Sequence, residues 1–366
     1  MRRMSICIIA MFVAVTAEAQ PYLYSLSYTG GVKVFDTATN TFVPNSIPLP
    51  PAAVGFAVSP SGDRVYLSGT STIVVVDTAT HTQIASINVP GCLADDAERV
   101  RVRPQNDILY FACMTGIGTF SLFPITISGN SYTVQPAIVT APGQPIGIAI
   151  NSAGTRMWIA RRGVDVLAVN LQTNATTSIP AIVDTNGLTD IAYNPVLNRI
   201  YVPTINGVVP IDGNNDAVLP TIGSGGMYAV GISPDGTRIY ALNTAGAVGV
   251  ADAATGAAIG PVTGLTADPR MALAVNPTNG EVITLGNMGS CAGGPGGPFQ
   301  IVNPNTLAAG PPIPVPPTYC EPRAAGQIIV AAVQPQVAGE DSPTLSWYAL
   351  AALVALLVGV GVMRLR

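Results

Sequence analysis

One pattern recurs along this 366-residue chain and limits what it can fold into. An alternating apolar run is followed by a Ser/Asn-Pro step, a short polar turn, and then Arg-Val/Ile-Tyr. Residues 54–66 (VGFAVSPSGDRVY) show it in full. It returns at 146–158 (IGIAINSAGTRMW), 191–201 (IAYNPVLNRIY), 230–240 (VGISPDGTRIY) and 271–283 (MALAVNPTNGEVI), with a weaker copy at 100–110 (VRVRPQNDILY). The anchor residues Pro60, Pro104, Ser152, Pro195, Pro234 and Pro277 lie roughly 40 to 48 residues apart, the period of a four-stranded propeller blade.

Each unit continues with two more strand-like runs. The third ends in Asp or Asn and a small polar turn: Asp36, Asp77, Asn170, Asp212, Asp252 and Asn303. A short carboxylate or amide there can accept from the backbone N–H two residues on and close the hairpin. Residues 21–47 supply strands two to four of a unit without a first strand. Residues 327–335 (QIIVAAVQP) supply a first strand without partners. Joined, they complete a seventh blade and close the ring, so no sheet edge stays open there. The expectation is an all-β, seven-bladed β-propeller over 20–335. A solenoid is the alternative, and the split unit argues against it.

The repeats resemble the YVTN-type β-propeller family, through Arg238-Ile239-Tyr240-Ala241-Leu242-Asn243 and Val74-Val75-Val76-Asp77-Thr78-Ala79-Thr80. The resemblance covers most of 21–335. It implies the fold and leaves the activity open, because propellers carry many unrelated functions.

The ends differ in character from the repeats. Met1-Arg2-Arg3, an apolar run over 5–15 and Ala17-Glu18-Ala19 read as a signal peptide spanning 1–19, cleaved after Ala19. An uncleaved anchor is the alternative. At the other end, 347–363 carries no charge and is followed by Arg364-Leu365-Arg366, which predicts a transmembrane helix over 346–366 with a basic stop at Arg364 and Arg366. Ser342-Pro343-Thr344-Leu345, this helix and the basic end resemble the IPTL-type C-terminal sorting signal of bacterial envelope proteins, with Ser342 where Ile is usual. Residues 336–345 would then be linker and sorting motif. The resemblance implies handling by an exosortase-like membrane enzyme. A plain tail anchor is the alternative.

Composition narrows the function classes. Only 10% of residues are charged, the net charge is −4, and Lys33 is the single lysine, so no basic stripe exists to neutralise phosphates and nucleic acid is not an expected partner. Four cysteines follow the signal peptide: Cys92, Cys113, Cys291 and Cys320. Three connectivities are open, and sequence proximity favours Cys92–Cys113 and Cys291–Cys320. No CxxC spacing exists, so a metal centre is not expected.

The one histidine, His81, falls at the turn position held by Asn40, Asn174 and Gly256 in sister units, which reads as a turn residue and not a catalytic base. The repeated acids recur once per blade, as structural residues do, where calcium would need several oxygens in one place. Arg161-Arg162 is the densest positive pair, either a possible ligand face or a solvated edge. Residues 289–317, rich in Gly and Pro, are the largest departure from the repeat. They read as a rigid face loop or a longer hairpin.

The chain is therefore expected to be an exported cell-envelope binding, adhesion or scaffold module, held at least transiently in the membrane by its C-terminal helix. Its expected partner is an envelope protein or a glycan; no cofactor and no catalytic residue is expected. The rival is a propeller enzyme of the lactonase or quinone-dependent dehydrogenase type, which would want clustered His, Glu or Asp near the axis.

Overall fold

The computed structural model describes residues 21–27, 31–44, 47, 55–93, 99–180, 191–266, 270–286, 298–315 and 328–332, all within the compact unit Gln20–Val333. The expected signal peptide, sorting motif, C-terminal helix and Cys291–Cys320 pairing fall outside the described residues. No helix among the described residues is long and apolar enough to cross a membrane.

The strands fall into seven antiparallel sheets. Blade 1 starts with β1 (Pro21–Ser27), β2 (Gly31–Asp36) and β3 (Thr41–Phe42). Blade 2 is β4 (Gly55–Val58), β5 (Arg64–Ser68), β6 (Thr72–Asp77) and β7 (Thr82–Asn88). Blade 3 is β8 (Arg99–Val102), β9 (Ile108–Gly116) and β10 (Thr119–Ser128), with a broken outer edge of β11 (Ser131–Val134) and β12 (Val139–Pro142). Blade 4 is β13 (Pro145–Ile150), β14 (Arg156–Arg161), β15 (Asp165–Asn170) and β16 (Thr176–Ile179).

Blade 5 is β17 (Ala192–Asn194), β18 (Arg199–Thr204) and β19 (Gly207–Asp212); its outer edge is reduced to the bridges Val208–Ile222 and Ile211–Val218. Blade 6 is β20 (Met227–Ile232), β21 (Arg238–Asn243), β22 (Val248–Asp252) and β23 (Ala258–Pro261). Blade 7 is β24 (Arg270–Val275), β25 (Val282–Gly286) and β26 (Phe299–Val302). The last strand, β27 (Ile328–Ala332), pairs with β1 from Pro21–Ala332 to Ser25–Ile328 and is the innermost strand of blade 1.

Ring closure shows at two levels. Each innermost strand neighbours the next around the axis: β4, β8, β13, β17, β20, β24, β27 and back to β4. Each joint between blades also holds one apolar cluster. In the joint that closes the ring, Leu23 and Phe35 of blade 1 pack with Ala272, Ile283, Leu285 and Phe299 of blade 7. The Phe35 and Phe299 rings stack 5.7 Å apart. The alternation of the strands explains this layout. One face of each blade packs on the blade before it and the other on the blade after, so both faces are buried.

The antiparallel order sorts the connections onto two faces. The hairpins joining strands one to two and three to four lie on a turn face. Those joining two to three, and the links between blades, lie on a loop face. The turn face carries the repeated motif. Ser59 and Ser233 hydroxyls accept from Arg64 N and Arg238 N, and Asn151 Oδ1 accepts from Arg156 N.

The motif arginine then reaches into the next blade. Arg64 donates to Gly129 O, Arg199 to Ala254 O, Arg238 to Pro304 O, and Arg156 pairs with Asp216. The aromatic two residues on follows it, with Tyr201 donating to Ala253 O (2.6 Å) and Trp158 Nε1 to Asp216 (3.0 Å). Arg-x-Tyr is thus a clasp between blades. It recurs at these four joints because charge-assisted hydrogen bonds from a guanidinium bridge one blade to the next.

The closing hairpin acids behave as their spacing predicts. Asp36 accepts from Ala38 N, Asn170 from Gln172 N, Asp212 from Asn214 N, Asp252 from Ala254 N and Asn303 from Asn305 N. Part of the proline-rich stretch departs from the expected loop. Ile313 exchanges two backbone hydrogen bonds with Phe299, and Val315 is buried against it, so 309–315 forms the outer edge of blade 7. Proline tolerates this because an edge strand leaves every second N–H unpaired.

Candidate functional site

The sequence-derived candidates separate in space. His81 does sit in the left-handed region, at φ 54°, alongside Asn40 at 56°, Asn174 at 60° and Gly256 at 75°. It is not an isolated turn residue, however. Its ring packs edge-on against Tyr22, with centroids 4.5 Å apart, and Nδ1 is 2.9 Å from the Tyr24 hydroxyl. Burial lowers its pKa, against the upward pull of Asp77 and Asp36. His81 therefore belongs to the joint between blades 1 and 2.

Arg161 and Arg162 point to different surroundings. Arg161 is buried, with Nε donating to Asp165 Oδ1 (2.7 Å) and Nη1 to Pro142 O (2.8 Å). Asp165 also accepts from Ser178, so that charge is balanced inside blade 4. Arg162 is exposed on the loop face and donates to Gln144 (2.9 Å). Arg161 is therefore not the solvated edge offered as the alternative, and the two guanidinium groups have separate partners.

Cys92 and Cys113 are joined in a disulfide. It ties the link between blades 2 and 3 to the second strand of blade 3, and the adjacent Leu93 N donates to Met114 O (2.7 Å). The bond thus stiffens one segment of the loop face.

That face carries a feature the sequence did not announce. Leu93, Ile117, Val164 and Ile205 are exposed large aliphatics on the links and hairpins of successive blades, from the blade 2–3 link to blade 5. Ile117 is 103% exposed at the tip of the β9–β10 hairpin, between Gly116 and Gly118. The other exposed large aliphatics among the described residues are Ile84, Val218 and Ile259 on outer edges and Val196 on the turn face. The available signal was an aliphatic at a turn tip, where polar residues serve better.

Five innermost strands also line an axial cavity of about 380 Å³, walled by apolar residues such as Ile148, Tyr193, Val230 and Leu273. Its charged neighbour is Arg101, whose Nε donates to Ile148 O (2.7 Å), while Arg99 Nε does the same to Ile146 O (2.7 Å). These arginines staple the inner strands of blades 3 and 4. Among the described residues no three His, Cys, Asp or Glu side chains converge as metal ligands would. The arrangement offers surfaces for binding: one walled axial recess and a loop face with exposed aliphatic side chains.

These features define a seven-bladed β-propeller. The chain is similar to a solved structure, the β-propeller domain of Cps50 (Swd1) from Myceliophteria thermophila. The TM-score is 0.57 at 10% identity, over 72% of this chain and 90% of that one. At this identity the likeness is one of fold. No family model matches the chain, and no curated protein does either.

Proposed function

We propose that this protein is an exported cell-envelope scaffold that binds a protein partner through the loop face of its propeller. The observation that carries the reading is the row of exposed aliphatics Leu93, Ile117, Val164 and Ile205, set on adjacent blades and braced by the Cys92–Cys113 disulfide. Apolar side chains gathered on one face of a rigid scaffold serve association, because burying them on contact removes apolar surface from water. A disulfide fits an oxidising compartment, as the signal peptide over 1–19 requires. Pro21 and Ala332 leave the ring side by side on the turn face, so the loop face carries neither chain attachment.

In this reading 336–345 is linker and sorting motif and 346–366 is the membrane helix with its basic end. The protein is a YVTN-type repeat propeller handled through an IPTL-type tail. Photo-crosslinking in cells tests the binding claim. A crosslinker placed at Ile117 or Val164 is expected to yield a discrete protein adduct, and one at Ile84 on the outer edge of blade 2 is not. Adducts at Ile84 alone, or at none of the three, would refute the loop-face assignment. N-terminal sequencing of the exported chain, expected to begin at Gln20, tests the export claim separately.

A further inference from the structure

The joint between blades 5 and 6 differs from its sisters at one ladder rung. Three residues after the motif arginine, the second and third strands place a facing pair of side chains against the preceding blade. The pair is Leu67 with Val74 in blade 2, Phe111 with Phe123 in blade 3, Ile159 with Leu167 in blade 4 and Val202 with Val209 in blade 5. In blade 7 it is Thr284 with Gln300, and Gln300 Nε2 fills its space by donating to Gly264 O and Gly310 O. In blade 6 the pair is Ala241 with Gly249. A Cβ added to Gly249 would meet nothing within 4 Å.

The missing side chains leave a cavity of about 310 Å³. Ile222 of blade 5 and Met227, Ile239 and Ala251 of blade 6 wall it. The buried cluster of this joint is Tyr201, Val208, Ile222, Met227 and Ile239 with Ala251 and Ala253. That volume falls at the lower end for small-molecule sites, and the walls are apolar as such sites usually are. Ile239, Ala241 and Asn243 line it along one strand. Four residue steps at about 3.3 Å make the slot about 13 Å long, an elongated apolar trough along the strand that matches the length of an extended chain.

One end is polar. Asn243 and Ser224 line the slot, and Asn243 Oδ1 already accepts from Ala245 N and Ala247 N, which leaves that amide its donor function. A donor amide and a hydroxyl at one end of an apolar slot suit a ligand with an acceptor head.

We infer that this slot binds a single medium-length aliphatic chain with a carboxylate or ester head, the head meeting Asn243 and Ser224 and the chain lying over Gly249. The polar end of the slot lies toward the loop face, but none of Leu93, Ile117, Val164 and Ile205 lines it, so its failure would leave the scaffold reading intact. Isothermal titration of the folded protein with saturated fatty acids from hexanoate to tetradecanoate tests it. Methyl decanoate distinguishes an acid head from an ester head, and indole serves as a compact apolar control. Saturable binding of one chain per protein is expected, tightest at one intermediate length.

Ala241→Leu/Gly249→Val restores the sister-blade pair and is expected to weaken that binding at least tenfold while leaving the thermal midpoint unchanged or higher. Gly249→Val alone, whose side chain enters open space, covers the case in which the double variant folds poorly, and is expected to weaken binding in the same direction. Binding of indole but of no chain, no saturable binding of any probe, or unchanged affinity in the folded variants would overturn the inference.

Discussion

The Tyr24 hydroxyl and His81 Nδ1 lie 2.9 Å apart across the joint between blades 1 and 2, although the residues stand 57 positions apart in the chain. Burial raises the Tyr24 pKa well above the usual phenol range and lowers that of His81, so the joint favours a neutral pair. A folded-state histidine pKa below the unfolded value means that the unfolded chain binds more protons. The stabilisation is then present in full above the unfolded value of about 6.5 and is lost as pH falls through the folded one. His81→Asn keeps a residue that tolerates the left-handed turn and removes the ring contacts. Thermal melts are expected to show it less stable at pH 7.5, by about 1 kcal/mol, with a gap to wild type that narrows toward pH 5. A gap constant with pH would show that the ring does not titrate in this joint.

The latch formed by β1 and β27 makes a second expectation. Removing residues 324–366 takes away the inner strand of blade 1 and exposes the edges of β1, so the whole ring is expected to lose several kcal/mol. Removing 337–366 leaves that strand in place. Parallel melts of the two truncations decide the matter, because equal midpoints would mean that the strand contributes nothing to closure.

Non-reducing peptide mapping is expected to link Cys92 to Cys113, which are 21 residues apart. Cys92→Ser/Cys113→Ser should lower stability by about 3 kcal/mol, the scale set by the entropy of a loop this short. The same double variant is expected to lose less than Cys113→Ser alone if the lone thiol of Cys92 goes on to pair elsewhere.

Asp216 receives both Arg156 and Trp158 Nε1 of the preceding blade, and its own side chain is only 10% exposed. Asp216→Ala should cost about 3 kcal/mol, since it strands two donors in a joint. A denaturant-monitored cycle with Arg156→Ala should return a coupling of about 1 kcal/mol or more. Additive losses would show that the clasp is decorative.

How far the sequence reached depended on what repetition can reveal. The Arg-x-Tyr/Trp motif recurs in four units and the Asp or Asn at the third-strand end in six, so comparison of units exposed them. Leu307 takes its positive φ at the same place as Asn40 and Asn174, four residues after Asn303, so there the repeat marks a conformation that leucine by itself does not suggest. Arg161 and Arg162 looked alike in sequence, yet burial differs between them because strand alternation turns one into blade 4 and the hairpin turns the other outward. The partner of His81 came from a residue before the first complete repeat, where no periodic argument could place it. The Ala241–Gly249 rung carried meaning only after strand register showed what its sisters hold there.

The side-by-side exit of Pro21 and Ala332 also sets how the ring would respond to mechanical load. Traction on both ends at once would open the β1–β27 ladder like a zipper, one hydrogen bond after another, the weakest way to load an antiparallel pair. Traction on the C-terminal end alone would load the same ladder in shear, straining its hydrogen bonds together and not one by one. A propeller tied through one of these ends would bear tension that the same propeller, tied through both, would not.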